Sequence, residues 1–329
     1  MADALALIAL LALIFYGLTG GADYGGGVWD LFARGPRAEK QRALIRDALS
    51  PIWEANHVWL ILVIVILFTA FPKAFAVIAT ALHIPLTLML VGIVLRGSAF
   101  TFRSYDAAGH GLGHPWGTAF AIASLLTPIL LGVNLGALGS GRIVVVDDKV
   151  LSGFVRPWLS LFPFAVGALA LCLFAYLAAV YLAVEAARRP DEPALADDFR
   201  LRALLAGGVS AVMAGLVLLI GHVAAPVLYG HVFRFWPLHL LSLSLAALAA
   251  AALWRRRYGW ARIGAAGQVA VILLGWGLAQ YPYLVLPGVE LHAAAAPDKT
   301  LRLLLYVLGL GGPVLLPSFV YLFRVFKSR

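Results

Sequence analysis

Cysteine is almost missing from this chain: one residue, Cys172, in 329. A single thiol excludes an intrachain disulfide and any metal site built from several cysteines. Charge is scarce as well. Charged residues make up 12% of the sequence and hydrophobic ones 62%, and the mean hydropathy is +0.93. A soluble domain must cover itself in polar groups, so this balance excludes one. No connection between apolar runs exceeds about 30 residues, which holds one surface helix but no separate core. No GKS or GKT phosphate loop, no HExxH and no CxxCH occurs, and no internal repeat is evident.

What is present is a series of apolar runs, each near the roughly 20 residues that a helix needs to cross the hydrocarbon. They predict an all-α polytopic membrane protein, a single transmembrane domain over 1–329 with about nine spans. The spans lie approximately at 3–22, 52–71, 74–98, 115–139, 158–184, 203–224, 233–253, 261–282 and 301–323. Eight helices can form two four-helix bundles with the ninth peripheral, although spacing alone does not dictate that. The first run follows Met1 with no basic leader and no small-residue cleavage site, so a retained helix is expected. The segment 36–49 interleaves charged and apolar residues and predicts a short amphipathic helix on the membrane surface.

The net charge of +9 is explained by where the basic residues fall. With nine spans, 18 of the 25 Lys and Arg residues lie on one side, including Arg34, Arg37, Lys40, Arg42 and Arg46 in the first connection and Arg255, Arg256 and Arg257 in the seventh. The positive-inside rule then places the N-terminus outside and the C-terminus in the cytoplasm. The charge is an orientation signal, and no nucleic-acid partner is expected.

The stretch from Ser50 to Phe71 organises the chain. Ser50 and Pro51 suit a helix start. Glu54, Asn56 and His57 follow, then an apolar run from Val58. Glu54 and His57 are three apart and project from roughly one helical face. An ionisable group at such a depth is costly and often functional. The alternative is a capping-turn carboxylate in headgroup water, favoured by the helix dipole. The first helix is expected to end in the glycine-rich run Gly20–Asp30. Asp23 then sits either hydrated at a helix exit or with Glu54 at one cytoplasmic mouth that passes protons inward. Arg96, near the end of the third span, is expected to snorkel as a headgroup anchor rather than contact a ligand. Tryptophans and tyrosines at span ends read as interfacial anchors.

Eight histidines raise the question of haem or metal. Among His57, His83, His222, His231 and His239 no two are four apart on one helix. His110 and His114 have that spacing but lie among glycines in a loop. A lone helical histidine more often hydrogen-bonds a neighbour. Glu54-x-x-His57 is a single Glu-x-x-His, whereas a di-iron bundle needs two.

The run GADYGGGVWDL (Gly21–Leu31), the basic surface segment after it, SPIWEANHVWLI (Ser50–Ile61) and LRGSAFTFRS (Leu95–Ser104) together resemble subunit II of the cytochrome bd-type quinol oxidases. The short form resembles the cyanide-insensitive type of that group. The resemblance implies a haem-free subunit that docks on a haem-bearing subunit I, which holds haems b and d, or b only. It implies no haem or metal bound to this chain itself, room for a structural quinone, quinol as the reductant, membrane lipids around the complex, and in some members a small third subunit. The expected location is the bacterial cytoplasmic (inner) membrane, multi-pass. By the same resemblance Trp53 and Glu54 match a Trp-acid pair at the mouth of a cytoplasmic proton path, and Asp23 matches the acid closing the first helix. Asn56, His57 and Arg96 would support that path. Family members often carry Asp where Glu54 stands, and some carry an acid at the position of Thr101. Two other readings stay open: a stand-alone proton-coupled secondary transporter, hinted at by the interruptions at Thr127-Pro128 and Pro226, and a scaffold whose acids are silent.

Overall fold

A computed structural model describes residues 1–49, 53–105, 113–147, 149–189 and 191–327. Apolar composition without water forces each backbone group to be satisfied within its own segment, and the chain answers with helices. They are α1 (Ala2–Leu31), α2 (Ala38–Leu49), α3 (Trp53–Ala70), α4 (Pro72–Ala81), α5 (His83–Tyr105), α6 (Gly113–Gly139), α7 (Leu161–Ala187), α8 (Pro193–Ala224), α9 (Pro226–Arg234), α10 (Trp236–Trp254), α11 (Tyr258–Gln280) and α12 (Asp298–Lys327). Among the described residues eight helices are long and apolar enough to cross a membrane, and the sharply bent pair α3–α4 makes a ninth if it is one span.

That bend corrects the third expected span. The chain turns by 118° between α3 and α4, and α5 starts the next crossing at His83 rather than near residue 74. Pro72 explains the break: it opens α4 at its first turn and cannot continue α3. The other expected interruptions behave differently. Pro128 lies inside an unbroken α6, and Pro226 begins the short α9 between two spans. Neither makes the broken mid-membrane helix that a transporter needs.

Helix neighbours sort into two groups. In the first, α3 packs on α1, α1 on α6 and α5 on α6; in the second, α7, α8, α10 and α11 close a ring. α1 and α7 form the seam between them, and α12 packs chiefly on the flank of α1 and α3, with Leu301 and Leu304 at its start in the core below α4. The surface helix α2 buries Leu44 and Ile45 against Leu182, Ala186, Leu195 and Phe199 at the α7–α8 turn. Arg37 pairs with Asp198 at 2.6 Å, Lys40 with Glu192 at 2.8 Å and Arg189 with Asp47 at 2.8 Å, so the basic side is clamped by ion pairs. On the opposite side two small antiparallel hairpins, β1 (Val145–Val146) with β2 (Lys149–Val150) and β3 (Tyr283–Val285) with β4 (Val289–Glu290), cover the helix ends.

The glycine run does not end α1. Gly20 to Val28 is helical and wholly buried. Glycine costs about 1 kcal/mol in a helix interior, but here it admits a neighbouring backbone. A Cβ on Gly25 would run into the carbonyl oxygen of Phe174 on α7, and Gly132 of α6 meets the Gly167 backbone of α7 in the same way. Gly25→Ala is therefore expected to lower the melting temperature of the purified protein. Overpacking against backbone costs about 1–3 kcal/mol and outweighs the helix preference of alanine. Gly215→Ala, whose new methyl would meet open space, is the control and should be neutral or stabilising.

Candidate functional site

Polar side chains are rare in the first helix group, and Asp23 and Ser124 converge on Arg96. Against the expectation of a snorkelling anchor, Arg96 is only 2% exposed and points inward from α5. The reason is the partner at its depth. Its Nη1 donates to Asp23 Oδ2 at 3.0 Å, Nη2 donates to the Asp23 carbonyl at 2.9 Å, and Nε donates to Ser124 Oγ at 3.2 Å. The guanidinium also lies over the rings of Tyr24 and Phe120, 4.8 and 5.0 Å from their centroids. Three hydrogen bonds and two aromatic faces replace the water that snorkelling would supply. Asp23, itself 2% exposed, keeps one buried oxygen, Oδ1, with no donor among the described residues, so its carboxylate has an acceptor position open there.

The position of Asp23 follows from the helical glycine run. Because α1 continues to Leu31, Asp23 sits well inside it and not at an exit. Ser124 reaches the arginine past Gly27, where any larger residue on α1 would collide with it.

A second set of groups adjoins this pair. Tyr16 donates to the Tyr24 hydroxyl at 3.4 Å, and that hydroxyl lies 3.3 Å from His57 Nε2 on α3. Asn56, buried one residue earlier, donates Nδ2 to the Thr19 carbonyl at 3.4 Å. Hydroxyl and imidazole groups can accept a proton on one side and release it on the other. The run Tyr16–Tyr24–His57 is such a chain, with one end at the second turn of α3.

Glu54 stands apart. It is exposed and heads an outward stripe of α3 that continues through Val58, Ile61, Val65 and Phe68. No hydrogen bond or ion pair joins it to Asp23 among the described residues. The structure thus brings Asp23 and Arg96 together, and His57 to the tyrosines, but does not bring Glu54 and Asp23 into one pocket. Trp53 is the first residue of α3, and its side chain lies outside the described residues, as do Ser50, Pro51 and His110. His83, His231 and His239 each hydrogen-bond a backbone carbonyl at 3.0–3.2 Å. Among the described residues no three His, Cys, Asp or Glu side chains gather as a metal site.

Sequence reasoning passes over Tyr16, Tyr24 and Ser124. A tyrosine near the end of an apolar run reads as an interfacial anchor, and only the extended α1 shows Tyr24 to be internal. The one available signal is the adjacency of Asp23 and Tyr24, which in a helix opens towards two neighbouring elements.

Removing one member of a buried pair leaves a charge without compensation, at about 3–5 kcal/mol, while replacing both with apolar groups is often neutral. Asp23→Leu and Arg96→Met should each strongly lower the denaturation midpoint of the protein in detergent. The double variant should lose far less than the sum of the two. Additive losses would show that the pair does not act as a unit.

Comparison with known proteins agrees with the fold just described. The family model for cytochrome bd terminal oxidase subunit II matches residues 1–326. The putative cytochrome bd menaquinol oxidase subunit II of Bacillus subtilis strain 168 is 22% identical over 98% of this chain and 95% of its own length. The cytochrome bd-I ubiquinol oxidase subunit 2 of Escherichia coli K12 is 28% identical over 142 residues, 43% of this chain and 37% of that protein. Among solved structures, a bd oxidase chain from Geobacillus thermodenitrificans superposes with a TM-score of 0.77 at 22% identity, covering 99% of this chain and 98% of that one. A match over nearly every residue leaves no part of the fold unassigned, and the chain belongs to the cytochrome bd terminal oxidase subunit II family.

Proposed function

We propose that this chain is the haem-free subunit of a bd-type quinol oxidase of the bacterial cytoplasmic membrane, and that it feeds protons from the cytoplasm towards the oxygen-reducing partner. The relatives' names supply the complex, a quinol oxidase with at least one further subunit. The haems, b and d or b alone, belong to that subunit I, where they carry electrons from quinol to oxygen. A structural quinone and a small third subunit complete the assembly implied by the resemblance.

The observation that carries the proton role is the placement of Glu54. It stands at the start of α3, on the side that bears most of the basic residues, and it faces outward. That side is the cytoplasmic one by the positive-inside rule. His57 lies one turn further in, on the Tyr24 chain. Glu54 takes a proton from the cytoplasm and holds it at the contact with subunit I, and His57 and the tyrosines shape the inner wall of the entrance. Oxygen reduction consumes protons, and drawing them from one side while quinol oxidation releases them on the other separates charge without a pump. The Arg96–Asp23 pair holds α1 and α5 at the distance this entrance needs. A stand-alone transporter is not supported, since α6 is unbroken and the whole chain matches an oxidase subunit.

Glu54→Gln removes the titrating oxygen and keeps the shape. Quinol-driven oxygen consumption by the purified complex should fall about tenfold, which corresponds to about 1.4 kcal/mol of barrier, with the haem absorbance unchanged. Glu54→Asp should keep most of the rate. Wild-type turnover in the glutamine variant would remove Glu54 from the path.

A further inference from the structure

A groove of about 610 Å³ opens on the flank of the protein beneath α12, with a floor from α1 and α3 and one end against α7 and α11. Its volume is within the roughly 300–1,000 Å³ of ligand sites. Two kinds of residue line it. Trp59, Phe319 and Val320 make an apolar wall, and Arg188, Arg262 and Arg324 gather at the other end. The aromatic wall is ordered by stacking: Phe15 lies 4.8 Å from Trp59, and Trp59 lies 5.1 Å from Phe319, ring centroid to centroid. The three arginines come from three separate helix ends on the basic side: the C-cap of α7, the first turns of α11 and the last turn of α12. One carboxylate, Glu185, shares that end, 3.4 Å from Arg188. Arg262 and Arg324 make no ion pair among the described residues. Three guanidinium groups against one carboxylate leave an excess of positive charge at the mouth of an apolar groove.

We infer that this groove is a binding site for an anionic phospholipid of the basic-side leaflet. The phosphate meets Arg262 and Arg324, and one acyl chain lies along Trp59, Phe319 and Val320. The charge distribution selects this occupant. A basic pocket between membrane helices on the cytoplasmic side suits an anionic headgroup, and arginine forks match phosphate oxygens in pairs. A neutral quinone ring would leave the arginines without a counter-charge, and free phosphate would leave the apolar wall uncovered. The lipid would also fix α12, whose apolar face is largely exposed and whose main helix contacts are with α1 and α3.

The test uses the complex purified with its haem-bearing partner and stripped of lipid by detergent exchange. Phosphatidylglycerol, phosphatidylcholine and inorganic phosphate are titrated in turn, and the melting temperature and the bound mass in native mass spectrometry are read. Phosphatidylglycerol should bind and stabilise, and the other two should not. Arginine beside an anionic headgroup is worth about fivefold in affinity, so Arg262→Gln with Arg324→Gln should weaken phosphatidylglycerol binding about 25-fold. Val320→Trp, which fills the groove and keeps the arginines, should abolish it and serves where the double variant fails to assemble. Equal binding of phosphatidylcholine, an equal response to phosphate, a bound quinone that Val320→Trp removes, or unchanged affinity in the variants would each overturn the assignment. So would a stripped wild-type complex that takes up no phosphatidylglycerol when it is titrated back.

Discussion

A guanidinium does not give up its charge in a protein, so Arg96 can be buried only if everything around it is arranged to hold a cation. That requirement shapes the first helix group. Asp23 must lie at the same depth, which makes α1 helical through its glycines. Gly27 must be small so that Ser124 reaches Nε, and Gly92 must be small where Thr127 of α6 presses against α5. Tyr24 and Phe120 close the two faces of the guanidinium plane. Each of these residues is ordinary by itself. Together they let a bundle with few polar groups enclose an ion pair and still pack.

The second group solves a simpler problem with different means. Its core is rich in alanine: Ala179, Ala203, Ala206, Ala249, Ala252, Ala261 and Ala265 lie at the helix contacts. Without a hydrophobic drive between helices in lipid, close approach of small residues supplies the van der Waals contact that holds them. The cores of the two groups differ accordingly: the alanine-rich one is locked by fit and the other by charge. α1 belongs to both, because its glycine face meets α7 while Asp23 and Tyr24 turn towards α5 and α3.

The number of spans and a helix near 36–49 were legible, because each rests on composition over many residues. What composition does not carry is depth. Asp23 among glycines reads as an exit, since glycine disfavours helix in water; only the contact of Gly25 with the Phe174 backbone shows why the helix persists. Arg96 near a span end reads as an anchor, since its partner lies 73 positions away in sequence. The turn at Pro72 was visible as a proline, but its 118° angle depends on the core that α4 joins with Ile66, Leu82 and Leu291. The two hairpins have strands of two or three residues, too short for alternation to register.

Glu54 remains the residue whose surroundings within this chain do not account for it. A carboxylate leading the stripe Val58, Ile61, Val65 and Phe68 is unfavourable against lipid, and its own helix gives it only the weak help of an N-terminal dipole. Two environments would make it tolerable: headgroup water at the membrane edge, or a polar wall contributed by another chain. The apolar stripe below it suits a partner helix as well as it suits lipid, and in a family whose members function beside a second subunit the same face can serve for docking and for proton entry. The Arg96–Asp23 pair then has a different task from the one its carboxylate suggests. Asp23 is locked to an arginine in the bundle interior, while the outward Glu54 has no ion pair among the described residues; under the proposed function it is Glu54, not Asp23, that exchanges protons.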